Sequence, residues 1–118
     1  MKESTSIKGK KAEELVAGYL KKKGWKILFT NYRVAGGEID IIALDKKDIV
    51  IIEVKSGKQN SFELTESIDL RKRKKLKQAT EQFLFREKMQ GKPVRFEIIT
   101  VSMPDEKIYH FQEEFFDD

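Results

Sequence analysis

The run IDIIALDKKDIVIIEV, from Ile39 to Val54, constrains the fold more than any other stretch of the chain. Two branched apolar segments, Ile39 to Leu44 and Ile49 to Val54, flank the polar turn Asp45-Lys46-Lys47-Asp48. Such segments favour strands, and so short a connection permits only an antiparallel hairpin. The turn sets the register: Asp45 falls opposite Asp48, Leu44 opposite Ile49 and, further out, Asp40 opposite Glu53. Because side chains alternate, Asp40, Ile42 and Leu44 share a face with Ile49, Ile51, Glu53 and Lys55. Directly opposed Cβ atoms lie about 4.5–5.5 Å apart, and like charges at that distance are destabilising. Something cationic must offset the pair, either Lys55 or a divalent metal.

Two carboxylates so placed suit Mg²⁺, a hard cation that takes one or two carboxylates plus carbonyl, water and phosphate oxygens. The backbone carbonyl of Val54 is a further ligand, and Mn²⁺ can substitute. Lys55, two residues beyond Glu53, reaches the same space, there to hold a phosphate oxygen or to orient and deprotonate an attacking water. The simpler alternative is an edge hairpin whose solvent face bears Asp, Glu and Lys in a salt bridge. Against it, these charges share their face with Ile42, Leu44, Ile49 and Ile51, which points to a cleft at the strand ends away from the turn.

The rest of the chain reads as helix, strand and helix around this hairpin. From Lys10 to Lys23, Ala12, Leu15, Val16, Tyr19 and Leu20 recur at helical spacing, and Gly24 stops the helix. At ~100° per residue, Glu13 lies on the flank of that stripe and Glu14 faces solvent. Trp25 to Val34 forms a strand turned by Gly36-Gly37, and Ser56 to Glu66 reads as a polar loop. A long helix then runs from about Leu70 to Met89, with Asp69 as its N-cap and Gly91-Lys92-Pro93 as its stop. Its buried stripe is Leu76, Ala79 and Phe83, with Lys72 on the same side, whereas Arg71, Lys74 and Lys75 point elsewhere. Val94 to Met103 and Lys107 to Phe111 complete the strands. The class is therefore α/β: one domain, 1–118, with a mixed sheet between helices in the order α-β-β-β-α-β and an extra C-terminal edge strand.

Charge bears on the partner. The net charge is +4, from 24 Lys and Arg against 20 Asp and Glu, and RKRKKLK (Arg71 to Lys77) alone holds six basic residues in seven. One concentrated cationic patch suits a polyanion, nucleic acid first, although a solvated helix face would look the same. Arg33, before the glycine turn, is a second phosphate contact or a plain surface residue. With no cysteine, disulfides and thiolate metal sites are excluded. There is no secretory h-region and no apolar run near the ~20 residues that span a bilayer, so no membrane role and a cytoplasmic location are expected. Residues 1–9 read as a basic arm and 113–118 (EEFFDD) as a flexible acidic tail. Trp25, Phe29 and Tyr32 read as packing rather than as base-stacking platforms, and His110 as structural.

The ordered set GKKAEELVAGYL, GWKILFTNYR, GGEIDIIA and IEVK, followed by ESIDLRKRKKL, resembles the bacterial YraN family and, more widely, the PD-(D/E)XK nuclease superfamily. The resemblance covers about the first four fifths of the chain. It implies a restriction-endonuclease-like core similar to archaeal Holliday-junction resolvases, with Asp40 and Glu53 as Mg²⁺ ligands, Lys55 as the catalytic lysine and Glu13 as a helix-borne acid. It also implies roles for Lys72, for Gln78 as an accessory residue and, by way of the resolvases, a homodimer, although no exposed apolar surface is identifiable. Where many relatives carry a basic residue after E-V-K-[ST], this chain has Gly57 and then Lys58. The expected activity is thus Mg²⁺-dependent hydrolysis of DNA, branched or damaged DNA included, with Arg33, Lys58, Arg71, Lys72, Lys74 and Lys75 contacting the nucleic acid. The alternatives are a non-catalytic DNA-binding module and an accessory partner of a nucleic-acid enzyme.

Overall fold

A computed structural model describes residues 7–58, 60–66 and 68–112. The branched run forms the expected hairpin, β2 (Gly37–Asp45) and β3 (Asp48–Gly57). It is preceded by α1 (Ile7–Lys22) and β1 (Lys26–Val34) and followed by α2 (Ser61–Glu66), α3 (Leu70–Arg86), β4 (Val94–Ser102) and β5 (Lys107–Gln112). Among the described residues, the strands make one sheet in the order β1-β2-β3-β4-β5, antiparallel except for β3 against β4. The parallel pair follows from its connection, because only a long crossover such as the α2–α3 segment can bring the chain back in the same direction.

Helices cover both faces. Ala12, Val16 and Leu20 of α1 pack on Ile41, Ala43, Val50, Ile52, Ile99 and Val101. Leu76, Ala79 and Phe83 of α3 pack on Ile39, Ile42, Ile49 and Ile51. Both predicted helix stripes are therefore buried, and the mixed α/β class holds. Phe29, Tyr32 and Phe83 meet edge to face with centroids 5.0–5.8 Å apart, a geometry favoured by aromatic quadrupoles. Trp25 meets His110 in the same way, so Trp25, Phe29 and Tyr32 all serve packing.

Several boundaries differ from the sequence reading. The first helix starts at Ile7 rather than Lys10, taking in the end of the basic arm; residues 1–6 and the acidic tail, 113–118, lie outside the described residues. Part of the expected loop is α2, whose N-terminus is capped by Asn60 Oδ1 accepting the Glu63 N–H at 2.9 Å. With Leu64 the one buried apolar residue among its described side chains, so short a helix leaves no periodicity to detect. The long helix ends at Arg86 because Lys88 (φ 58°) takes the left-handed position that usually falls to glycine, and the Met89 N–H closes the end on the Leu84 carbonyl.

Acids stand at both ends of the β2–β3 hairpin. At the turn, Asp45 and Asp48 are register partners, and Arg95 bonds both, at 3.1 and 2.8 Å, together with Glu97 at 2.9 Å. Glu97 also bonds His110, whose other ring nitrogen meets the Tyr19 hydroxyl at 2.9 Å. Burial alone would raise the Glu97 carboxyl, but His110 and Arg95 overcome it and hold the group below the usual range. This is a closed structural network, and it gives His110 the structural place the sequence suggested.

Candidate metal centre

The other end of the hairpin is open. The β2–β3 ladder runs from Asp45↔Asp48 to Ile41↔Ile52, one pair short of Asp40 and Glu53. There the Asp40 carboxylate accepts the Val54 N–H at 2.9 Å. Strict alternation also fails at this point: Ile39 packs on the α3 side and Ile41 on the α1 side. The neighbouring strand kinks at the same level, where Asn31 adopts φ 51° and drops out of the β1–β2 pairing opposite Asp40. Asparagine tolerates this left-handed backbone better than a branched residue would. Its amide donates to Glu13 Oε1 at 3.2 Å, tying α1 to the opened strand end.

Asp40 and Glu53 act directly on each other's charge. Burial, and next the charge of Glu53, push the Asp40 carboxyl up to about 7. Burial likewise raises Glu53, against the opposing pull of Lys72 and Lys55. Both lysines reach the same oxygen: Lys55 Nζ is 3.9 Å and Lys72 Nζ 3.6 Å from Glu53 Oε2. Burial and then the adjacent Lys72 hold the Lys55 amine below its ordinary basicity. For Lys72 burial acts downward too, but its bond to Lys55 and the nearby carboxylates outweigh it and leave the group raised. Glu13, on the flank of α1 as expected, is raised by burial and by the charges of Asp40 and Glu38, with Asn31 opposing.

A cleft of about 270 Å³ opens here, lined by Glu38, Asp40, Glu53, Lys72, Lys75 and Leu76 among others. Lys75 is a correction: it was expected to point away, but it lines the cleft one turn beyond Lys72. Gln78 is another. It lies with Glu81, Gln82, Phe85 and Arg86 around a separate depression on α3, because two residues past Leu76 the helix has turned away from the sheet. Arg71 and Lys74 are exposed on α3, Lys58 is exposed just past β3, and Arg33 is exposed opposite Glu38. Asn31 and Glu38 were missed. Glu38 was legible two residues before Asp40, whereas nothing in NYRV announces the kink at Asn31. Thr100, the ladder partner of Lys55, has a buried hydroxyl with no hydrogen-bond partner among the described residues.

The donor set fits a hard divalent cation. The available atoms are the Asp40 and Glu53 carboxylates and the Val54 carbonyl, all oxygen, with the chain's single histidine engaged in the network beneath β5. Among the described residues no three His, Cys, Asp or Glu side chains converge into a ready-made cage. No helix among the described residues is long and apolar enough to cross a membrane.

Comparison with known proteins places the chain by sequence. Residues 12–101 match the model of a family described as "Uncharacterised protein family UPF0102". A UPF0102 protein of Thermotoga maritima is 45% identical over 103 residues, covering 87% of this chain and 92% of its own. Another, from Persephonella marina, is 40% identical over 110 residues, covering 92% and 93%. Among solved structures, an XisH family protein from Nostoc punctiforme aligns with a TM-score of 0.49 at 17% identity, over 86% of this chain and 98% of that one. With three quarters of its length inside the family model and relatives matched nearly end to end, the chain belongs to the UPF0102 family.

Proposed function

We propose that the chain is a Mg²⁺-dependent nuclease of the PD-(D/E)XK type, cleaving phosphodiester bonds in DNA. One observation carries this reading: two neighbouring half-buried carboxylates, Asp40 and Glu53, stand at the opened end of a hairpin with two lysines on one of their oxygens. Asp40, Glu53 and the Val54 carbonyl would hold the cation, which when bound supplies charge stabilisation at the phosphoryl oxygens. Lys55, its basicity lowered by burial, is suited to take a proton from the attacking water as the water oxygen bonds to phosphorus and the ester oxygen leaves. Lys72 and Lys75 line the cleft where the phosphate enters, and Arg71 and Lys74 extend the positive face along the duplex. Asn31 fixes Glu13 at the rim of the site.

The test is a cleavage screen with Mg²⁺ and Mn²⁺ on duplex, junction, flap and single-stranded DNA, run beside Glu53→Gln and Lys55→Ala. Metal-dependent scission is expected from the wild type, with a loss of at least about 10²-fold in each variant. Salt-sensitive DNA binding without scission on every substrate would leave a non-catalytic DNA-binding module instead.

A further inference from the structure

At the open end of the hairpin Lys55 and Lys72 stand against Asp40 and Glu53, with Glu38 and Lys75 lining the same cleft. The pairing is loosely held. At 3.9 and 3.6 Å from one carboxylate oxygen, neither ammonium makes a good hydrogen bond to Glu53, and the two lysines crowd each other. The acid pair at the turn is handled differently, by one Arg95 guanidinium making bonds of 2.8–3.1 Å to three carboxylates. A planar fork locks its partners, whereas an ammonium on a flexible stem can be exchanged.

Of the two lysines, Lys72 is the one able to leave. Lys55 sits on the same strand as Glu53, and its side chain is 23% exposed; Lys72 comes from α3 and is 47% exposed, with the cleft beside it. A divalent cation on Asp40 and Glu53 would add two positive charges beside both lysines. Moving Lys72 outward relieves the crowding, and a DNA phosphate at the cleft mouth, also within reach of Lys75, would receive it.

Resting on the metal-dependent reading above, we infer that Lys72 is an exchangeable counter-ion that stands in for the divalent cation on Glu53 and transfers to a DNA phosphate when the cation binds. Metal and DNA then bind cooperatively, because the cation displaces the group that the DNA captures. The coupling is reciprocal, so each ligand tightens the other by the same factor. The free protein accordingly resists loading with metal until nucleic acid is present.

The experiment is a titration with Mn²⁺, followed by electron paramagnetic resonance, on the full chain with and without a saturating short DNA duplex. In the wild type, DNA is expected to tighten Mn²⁺ binding by roughly 5- to 150-fold. Lys72→Met is expected to bind Mn²⁺ more tightly than wild type without DNA and to gain less further affinity than wild type when DNA is added. Lys72→Arg, whose planar fork would hold Glu53 more firmly, is expected to bind Mn²⁺ more weakly than wild type without DNA. Unchanged or weaker DNA-free Mn²⁺ affinity in Lys72→Met, or undiminished coupling, overturns the role of Lys72 while leaving the metal site standing. A wild-type protein that binds no Mn²⁺ in either condition overturns both.

Discussion

A carboxyl held near 7 by burial and by Glu53 makes Asp40 a pH-sensitive element of the metal-free fold. Its folded value lies above the unfolded value of about 3.8, so the native state holds the proton more tightly. The stabilisation from that proton is complete below about pH 4 and is lost as pH rises through 7, by on the order of 4 kcal/mol at most. Glu97 works in the opposite sense: its lowered value contributes at neutral pH and fades on acidification. In EDTA, thermal melting should therefore fall between about pH 5 and 8, and Asp40→Asn should flatten that decline. Added Mg²⁺ should raise the wild-type melting temperature more at the upper end of that range than at the lower, because only the ionised pair binds it. An equal Mg²⁺ effect in Asp40→Asn would place the ion elsewhere.

Among the elements, the β2–β3 hairpin shows how one sequence pattern serves two ends. Asp45 and Asp48 are closed by Arg95, which also anchors the buried Glu97. Arg95→Met would strand Glu97 and leave the two aspartates opposed. A loss of about 3 kcal/mol or more is expected in urea denaturation, as when one partner of a buried pair is removed; a loss near zero would mean that His110 alone satisfies Glu97. The hairpin was legible because branched runs and a four-residue polar turn fix strand type and register together, and the register holds as far as Ile41↔Ile52. Beyond that pair, a departure written in another strand takes over. The left-handed Asn31 breaks the alternation opposite Asp40, and turn arithmetic on β2 and β3 contains no information about β1. On α3, helix phase correctly put Lys72 on the side of the sheet, where it reaches Glu53. It misjudged Lys75, because a long side chain can reach a cleft that its Cα direction does not face.

At the scale of the molecule, sheet order and crossover bring separate sequence segments to one end of the sheet. Glu13 comes from α1, Asp40 and Glu53 from the central hairpin, and Lys72 and Lys75 from α3 on the opposite face to α1. The α/β class and the strand count followed from hydrophobic periodicity, whose alternation and helical spacing survive in the packed core. The displacement of Gln78 from the site and the presence of α2 depended on packing that no local pattern encodes. What the whole arrangement is for turns on whether the opened hairpin end holds a divalent cation. The most direct measurement is an anomalous difference map from crystals soaked in Mn²⁺ at roughly pH 8, where the carboxylate pair is ionised. One peak between the Asp40 and Glu53 carboxylates, with the Val54 carbonyl among its ligands and Lys72 withdrawn from Glu53, is the expected result. Well-ordered crystals with no peak there, and Lys72 still seated on Glu53, would contradict the metal centre.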